Sequence, residues 1–91
     1  MQTETKVAVL KRLNRIEGQV RGLARMVEGD RYCIDVVTQI SAVQAALRRA
    51  EEEILRDHVA NCVEHAIVSG DKRDQRRKIS ELMDVLGRVH R

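Results

Sequence analysis

The chain has 91 residues, enough for one domain with a thin core of its own. It holds no Pro, Trp or Phe and a single Tyr, so strand-favouring aromatics are nearly absent while helix formers abound, which argues against a β-rich fold. With 43% hydrophobic and 34% charged residues it does not read as disordered, and a formal net charge of +3 is compatible with a nucleic-acid partner without being diagnostic of one.

The first helix is expected from about residue 4 to 28. Val9, Leu13, Ile16, Val20, Leu23 and Val27 recur at spacings of 4, 3, 4, 3 and 4, a heptad-like seam that packs on another helix. Gly18 and Gly22 inside it each cost about 1 kcal/mol of helix stability, and close approach of a neighbouring helix is the expected reason. Gly29-Asp30 breaks the pattern, with Gly29 suited to a left-handed helix end and Asp30 to capping the next helix.

The second helix then runs from about Arg31 to Val68, with Ile40, Val43, Leu47, Ala50 and Ile54 keeping the same spacing. No Gly or Pro interrupts it before Gly70, and such length points to a helical hairpin or a coiled-coil-like assembly. Ser69-Gly70-Asp71 repeats the stop-and-cap signal. A third helix follows, with Ile79, Leu82, Met83, Leu86 and Val89 on one side. The expectation is an all-α chain of three helices, residues 1–91 forming one domain. A chain so short and so charged gains from burying apolar surface in an oligomer.

No stretch approaches ~18 consecutive apolar residues, so no membrane span is expected. Met1-Gln2-Thr3-Glu4 carries no apolar secretory segment, which predicts a cytoplasmic chain with both cysteines reduced.

The groups able to hold a soft or borderline metal are Cys33, Cys62, His58, His65, His90 and the methionines. His58 and Cys62 are four residues apart, on one face of a helix. Alone that is a weak signal, since a Cys on a packed face more often serves as a small hydrophobe. Cys33 sharpens it. It lies 25 residues before His58, roughly 37 Å along a continuous helix, and cannot meet the other two within its own helix. It can meet them from a second chain. Two antiparallel copies of the second helix, crossing near residues 45 to 48 where Ala45 and Ala46 permit close packing, bring Cys33 of one beside His58 and Cys62 of the other. Two thiolates and one imidazole suit Cu(I), which accepts three ligands. Zn(II) ranks second because it usually takes a fourth. No orienting third group, oxyanion loop or Gly-rich turn accompanies the Cys–His pair, so an enzyme is not expected.

Several longer stretches carry a resemblance. Arg12-Leu13-Asn14-Arg15-Ile16-Glu17-Gly18-Gln19-Val20-Arg21-Gly22, then Asp30-Arg31-Tyr32-Cys33-Ile34-Asp35-Val36, then Gln39 to Leu47, followed by His58 and Cys62, resemble the CsoR/RcnR family of metal-sensing repressors over nearly the whole chain. The Cys…His-x3-Cys triplet looks like its copper-sensing branch. The resemblance implies a homodimer pairing into a disc-shaped tetramer, Cu(I) held across the chain boundary, and an apo form that binds operator DNA and is released by Cu(I). It also implies that Tyr32 and Glu81 hydrogen-bond around the His ligand, and that Arg12 and Arg49 serve DNA binding. Nickel and cobalt sensors of the family use a His near the N-terminus, where this chain has Gln2, Thr3, Glu4 and Thr5. Formaldehyde sensors place Pro where Gln2 stands. Sulfur-species sensors keep both cysteines without the His, so a persulfide sensor using Cys33 and Cys62 is the alternative.

Basic residues cluster in the first helix (Lys6, Lys11, Arg12, Arg15, Arg21, Arg25), at Arg48 and Arg49, and from Lys72 to Lys78. No helix-turn-helix, zinc-finger spacing or aromatic platform is present. The run at 72 to 78 reads by itself as a solvated helix face. The groups on the first two helices, Arg12, Arg15, Arg48 and Arg49 among them, suit one broad positive face that contacts phosphates and reads DNA shape. Operator DNA and further copies of the chain are the expected partners. A membrane and a small-molecule substrate are not.

Overall fold

The computed structural model describes residues 1–89, the side chain of Val89 excepted, so His90 lies outside the described residues. Helix α1 (Thr3–Glu28) is followed by α2 (Cys33–Asp57), a π-helical turn (His58–Val63), α3 (Glu64–Ser69) and α4 (Lys72–Val89). Backbone angles at Asp57, His58, Val63 and Glu64 are all right-handed helical. The segment from Cys33 to Ser69 is therefore one rod, and the described residues form three helical rods, all-α as expected. No helix among the described residues is long and apolar enough to cross a membrane.

α1 and α2 pack as an antiparallel hairpin. The seam is selective: Val9 and Ile16 are buried on α1, and Val43 and Ala50 on α2, each pair seven residues apart. The alternate seam positions stay open, with Val20 49%, Leu13 38%, Leu47 43% and Ile40 41% exposed. One heptad position of each helix thus faces its neighbour in the chain, and the other is left over. The dimensions give the reason. The chain measures 58 × 28 × 13 Å, and its thickness is about that of one helix with its side chains. A single layer cannot enclose a core, and no large side chain is fully buried among the described residues.

The turn after α1 differs from expectation. Gly29 has φ −86°, and Asp30, not Gly29, takes the left-handed conformation at φ 53°. The hydrogen bonds explain it: Asp30 N–H donates to Val27 O at 3.1 Å and Arg31 N–H to Met26 O at 3.0 Å. This is a helix-ending motif whose left-handed residue is the one after the cap, and a short polar side chain tolerates that region. Asp30 consequently does not cap α2. That helix begins at Cys33, after Tyr32, with no side-chain cap. A second correction concerns Gly18 and Gly22. Nothing lies within 4 Å of a Cβ built at either, so no helix of the same chain approaches them closely. The hairpin contact runs along Val9 and Ile16 instead.

The second break forms as expected. Gly70 is left-handed at φ 73°, and Asp71 Oδ1 accepts the N–H groups of Arg73 at 3.0 Å and Asp74 at 3.2 Å. α4 then folds back on α3 and the π turn, held partly by Gln75 Nε2, which donates to the carbonyls of Ala66 and Ile67 at 3.4 and 3.3 Å. Gly70→Ala meets no steric obstacle, because the space around its Cβ is open, so its cost is backbone strain alone. We expect a loss of about 1–2 kcal/mol in urea unfolding, and a similar loss of about 1 kcal/mol for Asp71→Ala.

Candidate metal centre

The π turn carries two of the three expected ligands. His58 opens it and Cys62 lies four residues on, both half-buried. A π turn accommodates an extra residue per turn and is frequently found at functional sites. Sequence reasoning placed these residues on a regular α-helix and missed the turn. One signal was present: Asp57 stands seven residues after Ala50 and fourteen after Val43, a charged group where the heptad calls for an apolar one.

Cys33 is at the opposite end of the same rod, at the first position of α2, and exposed. Twenty-five helical residues hold it roughly 37 Å from His58. Among the described residues of one chain, no three His, Cys, Asp or Glu side chains gather in an arrangement able to hold a metal ion. The structure therefore brings His58 and Cys62 together and leaves Cys33 apart. Both cysteines are free thiols. As a donor set, two thiols and an imidazole fit a soft ion, provided the second thiol arrives from outside the chain.

His58 lines an apolar groove of about 540 Å³ with Ile54, Leu55, Arg48, Glu52 and, from α4, Val85. Glu81 lies one helical turn before Val85 and is exposed. Tyr32 is 68% exposed beside Cys33, at the far end of the rod. Tyr32 is therefore far from His58 within one chain, whereas Glu81 sits one turn from the groove that His58 lines. His65, on α3, is exposed.

The basic residues divide. Arg15, Arg48 and Arg49 are exposed. Arg12 is engaged inside the hairpin: its Nε and Nη2 donate to Glu53 Oε1 at 3.1 and 2.6 Å, with the two side chains 29% and 27% exposed. Glu53 Oε2 is buried without a hydrogen-bond partner. No local pattern marks Arg12 as partnered, because Glu53 is 41 positions away.

Comparison with known proteins places these features in context. A family described as metal-sensitive transcriptional repressors matches residues 5–88. The copper-sensing transcriptional repressor CsoR of Bacillus subtilis is 52% identical over 83 residues, covering 91% of this chain and 79% of that protein. The copper-sensing transcriptional repressor RicR of Mycobacterium tuberculosis is 54% identical over 68 residues, covering 75% and 71%. Among solved structures, the copper-sensing repressor CsoR with Cu(I) from Geobacillus thermodenitrificans superposes with a TM-score of 0.90 at 45% identity, over 100% of this chain and 92% of that one.

Proposed function

The chain belongs to the metal-sensitive transcriptional repressors, and from that premise we propose that it is a copper(I)-responsive repressor whose metal centre is shared between two chains. Cys33 of one copy joins His58 and Cys62 of another, and the apo assembly holds operator DNA in the cytoplasm. The observation that carries this reading is the separation of the two thiols along one rigid rod, which no motion within a single chain can close. An antiparallel copy closes it twice, once at each end of the paired rods. The same pairing gives the open seam positions of a one-helix-thick chain something to pack against. Pairing of dimers into a tetramer covers further apolar surface and concentrates charge, four chains at +3 each carrying +12.

Bound at that centre, Cu(I) supplies soft-ligand coordination that two thiolates and one imidazole satisfy. The residues do the rest. His58 and Cys62 present their donors from the π turn. Tyr32 arrives beside Cys33 from the partner and brings a hydroxyl toward the imidazole of His58, where a hydrogen bond fixes the tautomer. Glu81, one turn from the groove that His58 lines, ties the same ring to α4. Closing the centre shifts one rod against the other, and with it the positions of Arg12, Arg15, Arg48 and Arg49. The released form must bind Cu(I) more tightly than the DNA-bound form, and operator DNA must weaken Cu(I) binding by the same factor.

The test is a Cu(I) titration of the reduced protein, following thiolate-to-copper absorption while a fluorescent operator fragment reports release. The expected result is saturation at one Cu(I) per chain with loss of DNA. Equal Cu(I) affinity with and without operator sinks the mechanism. Release by polysulfide, with no copper absorption band, assigns the two thiols to sulfur sensing instead.

A further inference from the structure

The start of α1 is fastened to the π turn across more than half the chain. The main-chain N–H of Gln2 donates to Asp57 Oδ1 at 3.2 Å. The Gln2 side chain, through Nε2, donates to Asn61 Oδ1 at 2.6 Å. Asn61 Nδ2 in turn donates to the Asp57 carbonyl at 3.0 Å and to Asp57 Oδ1 at 3.3 Å. The three residues close a ring of hydrogen bonds. Its centre, Asp57, is only 7% exposed.

Packing alone does not account for Asp57. It occupies the heptad position held by Val43 and Ala50, where an apolar side chain serves the hairpin without the cost of burying a carboxylate. Its neighbours explain its use. Asp57 immediately precedes His58, and Asn61 immediately precedes Cys62. Asn61 gives the Asp57 carbonyl a side-chain donor where the α-helical ladder yields to the wider π pattern. In an α-helix four residues overshoot one turn by about 40°, whereas a turn that needs more residues leaves them short of it. The mutual angle of His58 and Cys62 thus depends on which pattern the turn adopts.

We propose that Gln2, Asp57 and Asn61 form a latch that holds the π turn in register and passes its state to α1, making Gln2 a positioning residue for release of DNA. This rests on the reading that His58 and Cys62 bind Cu(I). Closing the metal centre pulls on the π turn. The latch carries that displacement to the beginning of α1, the helix that bears Arg12 and Arg15. Gln2 touches neither metal nor DNA in this scheme and acts only through Asp57 and Asn61.

The experiment uses the full chain with no tag before Met1, comparing wild type with Gln2→Leu and, independently, Asn61→Ala. Two quantities are read: amide hydrogen exchange of residues 58–63 in the metal-free protein, and the ratio of Cu(I) affinities without and with operator. The latch predicts exchange in the π turn faster by about tenfold or more while the amides of mid-α1 keep their protection. It also predicts that Gln2→Leu still takes one Cu(I) per chain but that the affinity ratio falls by about tenfold. Unchanged exchange overturns the latch, and so does an unchanged ratio. A variant that loses protection throughout α1 and α2 marks a merely structural contact and also overturns it. A wild-type protein that takes up no Cu(I) removes the metal reading itself. That failure is visible before any variant is compared.

Discussion

Mixing Cys33→Ala chains with Cys62→Ala chains restores copper sites that neither variant has alone. On the shared-centre assignment, each homodimer lacks a thiolate at both of its sites. Each variant should bind Cu(I) more than about 100-fold more weakly than wild type, since even groups that only orient a ligand cost 10- to 100-fold. In a mixed dimer one site keeps Cys33 from one chain with His58 and Cys62 from the other, and the second site loses both thiolates. Random pairing of equal amounts makes half the dimers mixed, so about a quarter of the wild-type capacity returns after co-refolding. A centre completed within one chain would gain nothing from mixing. The prediction follows from the rod between Cys33 and His58, which leaves the two thiols no route to each other inside one molecule.

On the proposed operator contacts, Arg15, Arg48 and Arg49 of two chains neutralise roughly six phosphates, so operator affinity should fall by about three powers of ten between 50 and 200 mM salt. Individual substitutions then separate these three from Arg12. Arg15→Ala, Arg48→Ala and Arg49→Ala should each weaken binding and flatten the logarithmic salt slope by about 0.9 for each phosphate that is no longer neutralised. Arg12 behaves differently because its guanidinium is already bonded to Glu53. Glu53→Gln removes the competing charge and should raise operator affinity and steepen the slope. Arg12→Ala should cancel that gain in the double variant. If Glu53→Gln weakens binding instead, the pair serves to aim Arg12 at the phosphate backbone, and the reading of competition is wrong. Fluorescence anisotropy with a labelled operator across a salt series decides between them.

How much of this was legible in the sequence depends on the range of the interaction. Heptad spacing in α1 and α2 and the Ser69-Gly70-Asp71 break are local patterns, and local geometry realises them: Gly70 is left-handed and Asp71 caps α4. The turn after α1 misled for a reason that is also local. Gly and Asp both tolerate the left-handed region, and only the hydrogen bonds from Asp30 and Arg31 back to Val27 and Met26 show which of them occupies it.

The amino-acid sequence by itself determined the all-helical class and the three rods, and it supplied Cys33, His58 and Cys62 as candidate donors, since periodicity and ligand chemistry are properties of residue type and spacing. It also determined that Cys33 stands roughly 37 Å from His58 along α2, because helix rise converts residue count directly into distance, and the proposal of a centre shared between chains starts from that distance. Only the tertiary structure decided which seam positions are buried, since that depends on the angle at which two rods lie. It alone showed Arg12 held by Glu53 and Gln2 clasped to Asp57 and Asn61, partners 41 to 59 positions apart. It alone put the π turn at His58–Val63. Asp57 and Asn61 at that turn bond to Gln2, a partner more than 50 positions away, and such a contact is unknown until the chain has folded.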